Sequence, residues 1–232
     1  MEPAYQIALL EAAQPFLGEG MFSGIRISTR PDAVDSAVLE RLERYHVTAV
    51  ELGAQSMCDR VLYQNERGHD AQAVRQASAM LRERGFSLGL QQMVGLYSST
   101  LQDEYDTLEQ LLACQPETLR IYPTAVLEGT KLAEYYFRGG YPQLSQEEVL
   151  DYCADALCRC HHAGVRVIRL GLHDTPSLRE HLLAGYFHPA YGELAESRLY
   201  LRQLKAAAAD CGKTELFVET APRTMSKVLG QH

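Results

Sequence analysis

The groups best placed to do chemistry in this chain are polar side chains at the tips of apolar runs. The segment ELGAQSMCDRVLYQNERGH (51–69) passes from an apolar stretch into Gln55, through a helical turn over 59–65, to Arg67 ahead of Gly68-His69. The layout recurs along the chain. Ser28-Thr29-Arg30-Pro31-Asp32 follows GIRI, Gln91-Gln92 interrupts an apolar run ending at Gly95, and Tyr122-Pro123-Thr124 and Arg169 lie in two more. α/β proteins bind ligands at the carboxyl ends of their strands, so one curved sheet would bring these side chains to a single mouth. Their amides and hydroxyls both donate and accept, which suits a ribose, an amino acid or another small polar ligand. The alternative is that the tips simply meet water.

Gln91 and Gln92 are adjacent in a strand-like run, so at least one points into a core or cavity, where an unpartnered amide costs roughly 1–3 kcal/mol. A ligand or a structural hydrogen bond would satisfy it. Arg67 either forks onto a carboxylate or phosphate or is an ordinary surface arginine. GLYSST (95–100) reads as a strand-to-helix turn with Ser99 or Thr100 as its cap, and its amides favour an anion or carboxylate. No metal site is predicted. Cys153, Cys158 and Cys160 fall on one predicted helix at offsets that scatter them around its circumference, and there is no CxxC or zinc-type spacing. His173-Asp174 stands without companions, and nucleophile motifs, a P-loop and a GxGxxG turn are absent.

The elements that must position these groups alternate. Apolar runs predict strands at Ile25–Thr29, Ala49–Gln55, Ser87–Val94, Leu119–Thr124, Val165–Leu172 and Glu215–Glu219. Helical periodicity covers Ala4–Leu17, Ser36–Tyr45, Ala71–Arg84, Leu101–Cys114, Lys131–Arg138, Gln146–His162 and an Ala-rich terminal helix at Leu194–Cys211. Ser145 with Glu148 makes a capping box, and Gly85 and Gly164 sit where helices end. Strands such as VTAVEL and VRVIRLGL are apolar on both faces, as in a parallel sheet covered by helices. The expected fold is α/β, a partial (β/α) TIM-like barrel of five or six parallel strands in a single domain over 1–232, with a polar tail at 222–232. A sheet beginning at Ile25 leaves an edge to be covered or paired, so self-association through that edge is expected.

The 232 residues suffice for a sizeable core, and 46% hydrophobic content is that of a globular protein. A net charge of −8 and pI near 5.5 argue against a general polyanion-binding surface. No apolar run approaches 18 residues and no signal pattern opens the chain, so the reading is cytoplasmic, with no membrane partner and the six cysteines as free thiols.

Together, GIRISTRPD, VELGAQSM, NERGHD, GLQQMVGL, LRIYPTAVLEGTKL and VRVIRLGL resemble the radical S-adenosylmethionine superfamily, in its Elongator catalytic subunit-like and oxygen-independent coproporphyrinogen oxidase-like branches. The resemblance runs from about Ile7 to Lys227. It implies a barrel in which a [4Fe–4S] cluster on a CxxxCxxC loop reduces S-adenosylmethionine to a hydrogen-abstracting radical. It also implies roles. Gln55 and Arg67 would meet the cofactor's ribose and carboxylate, Gln91 its ribose or methionine, and Ser28 or Arg30 would line it from the first strand. Gly95 and Leu96 would form the turn near the adenine, while Tyr122 and Arg169 would face an unidentified substrate.

The departures from the family pattern carry expectations of their own. The chain contains no CxxxCxxC and no glycine-rich second-strand motif for the methionine amine, and the family's GLPGST-like turn reads GLYSST. The first βα units of the barrel are therefore expected to be missing. The 232 residues alone are expected to bind no cluster and to perform no radical chemistry, the [4Fe–4S] cluster belonging to a full-length form. A non-catalytic module that binds a small molecule or a protein is the alternative. A tRNA-linked role by analogy with Elongator is a third reading, against which the acidic balance weighs.

Overall fold

The computed structural model describes residues 2–212, 215 and 217–230. Helix α1 (Pro3–Ala13) precedes β1 (Ile25–Thr29), α2 (Ser36–Arg44), β2 (Val47–Gln55), α3 (Asp59–Gln64), α4 (Ala71–Glu83), β3 (Ser87–Val94) and α5 (Leu101–Ala113). The chain continues through β4 (Thr118–Pro123), β5 (Ala125–Leu127), α6 (Lys131–Phe137), α7 (Gln146–His162), β6 (Arg166–Leu170), α8 (Pro176–His181), β7 (Leu182–Gly185), α9 (Tyr191–Cys211) and α10 (Met225–Leu229).

Local chemistry sets the helix boundaries. Asp35 and Asp70 cap α2 and α4 by accepting from Val38 N and Ala73 N at 2.7 and 2.8 Å. Thr100–Asp103 and Ser145–Glu148 form full capping boxes on α5 and α7. Gly85 and Gly164 take the left-handed backbone after α4 and α7, as their positions predict.

The five long strands pair in parallel in the order β1-β2-β3-β4-β6. That order never reverses, so there is no doubly wound switch point, and the sheet is a partial TIM-like barrel. Val50, Leu52, Leu88, Leu90, Leu119 and Ile121 point outward into a core completed by Leu39, Val74, Leu81, Leu108, Leu111 and Val149 of the helices. Each such side chain contributes about 1.5–3 kcal/mol of burial. The registers Ser28↔Glu51, Glu51↔Gly89, Gln91↔Arg120, Met93↔Tyr122 and Arg120↔Arg169 put the alternate residues on the other, concave face. The outer edge of β1 is unpaired among the described residues.

Several elements differ from the sequence expectation. Glu215–Glu219 forms no strand over its described residues, Leu216 lying outside them. Glu215, Phe217 and Val218 are exposed, so the run has no neighbour to complete a ladder. A short antiparallel ribbon, β5 with β7, was not anticipated because each strand is only three or four residues long. Within the expected polar tail, α10 occupies Met225–Leu229, tied to α9 by the Lys227–Glu196 ion pair; Gln231 and His232 lie outside the described residues. The terminal helix begins at Tyr191 rather than Leu194, and α1 tightens into a 3-10 turn at Gln14–Phe16. Among the described residues no helix is long and apolar enough to cross a membrane.

Gln92 faces the helices and is fully buried, with Nε2 donating to the Glu104 carbonyl and carboxylate at 3.3 and 3.2 Å. Its Oε1 lies 2.8 Å from the Tyr152 hydroxyl. Tyr152→Phe therefore leaves a buried amide oxygen without its donor, and urea titration is expected to show a loss of about 1–3 kcal/mol. An unshifted midpoint would mean that this network contributes nothing.

Candidate functional site

The concave face is built around a carboxylate. Glu51 lies mid-strand in β2, only 1% exposed, and its neighbours come from three other strands. Arg120 Nε on β4 stands 2.8 Å from Oε2, and Arg26 on β1 stands 3.6 Å from it. Neither contact has hydrogen-bond alignment, so both act as ion pairs by proximity. Gln91 on β3 donates to Oε1, with Ser28 on β1 at 3.5 Å. The crowding explains Gly89: a Cβ there would meet Thr118 Oγ1 at 2.9 Å, Glu51 Cγ at 3.2 Å and Arg26 at 3.3 Å. Arg120 also donates to the Tyr122 hydroxyl at 3.1 Å, and Arg169 on β6 donates from Nε to the Gly171 carbonyl at 3.2 Å.

The mouth, at the carboxyl ends of β1 to β3, holds polar atoms that the protein leaves unpartnered. Gln55 ends β2 with φ +66°, a left-handed backbone that a non-glycine residue adopts at a cost. Its side chain lies over Gly53, where a Cβ would come 2.7 Å from Nε2, and its Oε1 is buried without a donor. Arg67 Nε and His69 Nδ1 are likewise buried and unpartnered, while His69 Nε2 is 3.1 Å from the Ala54 carbonyl. Burial, and then the nearby positive charge of Arg30, depress the pKa of Arg67. Arg30 itself is held by Asp32 through two hydrogen bonds at 2.9 and 2.7 Å, which hold the Asp32 carboxyl below its usual range. Arg67, Met93, Leu96, Thr124 and Tyr135 line a cavity of about 350 Å³ beside this mouth.

The 95–100 turn is anchored from beneath. Glu104, 3% exposed, accepts from Gly95 N at 2.8 Å, Ser99 Oγ at 2.6 Å and Gln92 Nε2 at 3.2 Å. Burial outweighs these donors and pushes its carboxyl up to about 7. The Tyr141 hydroxyl donates to the Gly95 carbonyl at 2.7 Å, and Tyr186 packs so closely that a Cβ on Gly95 would lie 2.3 Å from its ring. Thr100 caps α5 as one of the two expected candidates. The carboxylate that the turn's amide was expected to attract is the chain's own Glu104.

The predicted residues therefore fall into two groups. Gln55, Arg67, Arg30 and Leu96 gather at the mouth, whereas Ser28, Gln91, Tyr122 and Arg169 face the concave floor. Gly95 shapes the turn, both its amide and its carbonyl being engaged by the protein. Sequence reasoning missed Glu51, Arg26, Arg120, Gly89, His69 and Glu104. Glu51 did leave a signal, as the one charged residue inside the run VTAVELGA. A separate cavity of about 550 Å³ near Leu17, Phe22, His46 and Arg84 lies at the amino ends of β1 and β2, away from this chemistry.

A family model described as the Radical_SAM C-terminal domain matches residues 116–201. The tRNA uridine(34) acetyltransferase of Dehalococcoides mccartyi is 35% identical over 122 residues, 51% of this chain and 26% of that protein. The Elp3 structure from Methanocaldococcus infernus superposes with a TM-score of 0.77 over 88% of this chain and 52% of that one, at 23% identity. Coproporphyrinogen III oxidase from Escherichia coli, a radical SAM enzyme, gives 0.59 over 71% of this chain and 38% of that one, at 20% identity. The matched model and relatives support a likeness to the radical S-adenosylmethionine superfamily, on its Elongator-like side. The chain spans well under half the length of the curated relatives it matches, 43% of an uncharacterised Methanocaldococcus jannaschii protein and 26% of the acetyltransferase.

Two cofactors belong to full-length radical SAM proteins, and the residues here fit them unequally. The unpartnered Gln55 Oε1 and Arg67 Nε suit a ribose hydroxyl and a carboxylate. The six cysteines do not suit a cluster. Cys153 and Cys160 are buried in the core with thiols pushed up, the other four are dispersed, and no group of three metal-ligating side chains exists among the described residues.

Glu104 ties the turn to pH. Its folded pKa lies above the ordinary 4.5, so its contribution to stability is full below pH 4.5 and is lost as pH rises to about 7. The loss is on the order of 3 kcal/mol. Glu104→Gln is expected to flatten this part of the stability–pH curve, measured by urea denaturation between pH 5 and 7.5. Identical slopes in both proteins would contradict the assignment.

Proposed function

We propose that this chain forms the S-adenosylmethionine-holding part of a radical SAM oxidoreductase, the barrel sector that positions cofactor and substrate. The observation that carries the reading is the trio of buried, unpartnered polar atoms at the mouth, Gln55 Oε1, Arg67 Nε and His69 Nδ1. A buried donor or acceptor left unmet costs about 1–3 kcal/mol, and a polar ligand removes that cost.

In this reading Arg67 takes the amino-acid carboxylate, Gln55 takes a ribose hydroxyl, and Leu96 and Met93 give apolar contact beside them. Ser28 and Arg30 border the ligand from β1. Gln91, held by Glu51, and Tyr122 and Arg169 line the path toward substrate. When bound, S-adenosylmethionine supplies the superfamily's hydrogen-abstraction chemistry; the protein binds, orients and excludes water. The [4Fe–4S] cluster is carried by full-length members of the superfamily, and the scattered cysteines support a reading in which these 232 residues hold none. They equally favour the alternative of a ligand-binding module without radical activity. The tRNA named for the acetyltransferase relative is a substrate class this chain shares only by analogy, and its net charge of −8 weighs against it. The open outer edge of β1 supports self-association, which a monomeric mass by light scattering at high concentration would refute.

Calorimetry with S-adenosylhomocysteine tests the reading. The wild type is expected to bind, and Arg67→Met to weaken binding at least tenfold, the range of a lost charge-assisted hydrogen bond. Iron bound after anaerobic reconstitution would separate the two alternatives. No S-adenosylhomocysteine binding, or equal affinity in Arg67→Met, would overturn the cofactor reading.

A further inference from the structure

Charge on the concave floor is unbalanced. Arg26, Arg120 and Arg169 face inward, while Glu51 is the carboxylate among them, in a chain whose net charge is −8. Glu51 is already engaged by Arg26, Arg120, Gln91 and Ser28. Arg169 has no ion pair among the described residues, and its hydrogen bond uses Nε alone. Both of its terminal nitrogens remain free to donate. Arg120 faces Glu51 with Nε as an ion pair and donates from Nη1 to Tyr122, and its Nη2 makes no hydrogen bond among the described residues.

These two arginines are in register on adjacent strands, Arg120↔Arg169, so their side chains leave the same face about 5 Å apart at the backbone. Fixed guanidinium groups at that spacing offer several N–H donors in planar forks, the geometry that recognises carboxylate and phosphate oxygens. Their support is specific. Glu51 and Tyr122 orient Arg120, and the Gly171 carbonyl orients Arg169. Arg67 is a separate group, beyond the ends of the strands and beside Gln55.

We propose that Arg120 and Arg169 form an oxyanion clamp for a carboxylate or phosphate carried by the substrate. This deepens the reading of the concave face as a substrate surface and rests on it. The substrate class is thus an anionic small molecule, its charged end held on β4 and β6 and its reacting end directed to the mouth. Glu51 is a positioning residue: it touches the arginine, not the anion.

The test is anion binding followed by NMR on the full chain, with inorganic phosphate and acetate as separate probes. At least one is expected to bind the wild type saturably. Arg169→Gln is expected to lower that affinity at least tenfold, and Arg120→Gln likewise. Preference for phosphate would name a phosphorylated substrate, and preference for acetate a carboxylic acid. Both outcomes support the clamp. Arg169 is partly exposed on the terminal strand of the sheet, and an unchanged amide spectrum and S-adenosylhomocysteine affinity in Arg169→Gln would show the fold and mouth intact. Absence of saturable binding in the wild type overturns the clamp, as does wild-type affinity in Arg169→Gln. Anion binding lost only in Arg67→Met would assign the anion to the mouth and overturn it too. If S-adenosylhomocysteine fails to bind while the clamp arms succeed, the cofactor reading fails and the anion site stands.

Discussion

A carboxylate buried in the middle of a parallel sheet has to be compensated, and the concave face is arranged around that demand. An uncompensated ion at Glu51 would cost several kcal/mol. The compensation comes from β1, β3 and β4 at once: Arg26 and Ser28, Gln91, and Arg120. Glu51 thereby ties four strands together by side chains as well as by the ladder, and it fixes the direction of Gln91 and Arg120. Gly89 is glycine because that knot leaves no room for a Cβ. Removing Glu51 would release two positive charges into the same space.

A second buried carboxylate does comparable work on the outer side. Glu104 reaches from α5 to the amide of Gly95 and to Gln92, so the turn after β3 is clamped to the helix layer. The adjacent glutamines of β3 divide these tasks, Gln91 serving the floor and Gln92 the core. The mouth lies between the two anchored regions, and there the pattern of satisfied polar groups breaks. Gln55 is strained in backbone and unpartnered in side chain, and Arg67 is half-buried with no acceptor. The strained glutamine and the unmatched arginine, on a frame this well supported, are the features on which the proposed ligand site rests.

The layering of the fold was legible in the sequence because it rests on local signals. Apolar runs gave the five parallel strands, and caps such as Ser145–Glu148 gave the helix starts. The β5–β7 ribbon was not legible: three- and four-residue strands carry no periodicity, and their pairing spans more than 50 residues of chain. Glu215–Glu219 misled in the opposite sense, since a strand-like composition forms no ladder without a neighbour. At the mouth, the strand-tip position of Gln55 was legible, whereas Arg67 after α3 stayed open between a ligand contact and a surface arginine until the family resemblance gave it a role. Arg26 and Arg120 were not singled out, because only the register of the strands places them around Glu51. Glu104 was not singled out either, because only tertiary packing shows that this acid in the first turn of α5 is buried.

The most direct test of this account is a crystal structure of the chain with S-adenosylhomocysteine bound. The account predicts the amino-acid carboxylate within hydrogen-bonding distance of Arg67 and a ribose hydroxyl within hydrogen-bonding distance of Gln55 Oε1. Density for the ligand in the cavity at the amino ends of β1 and β2, or with its carboxylate turned away from Arg67, would contradict it.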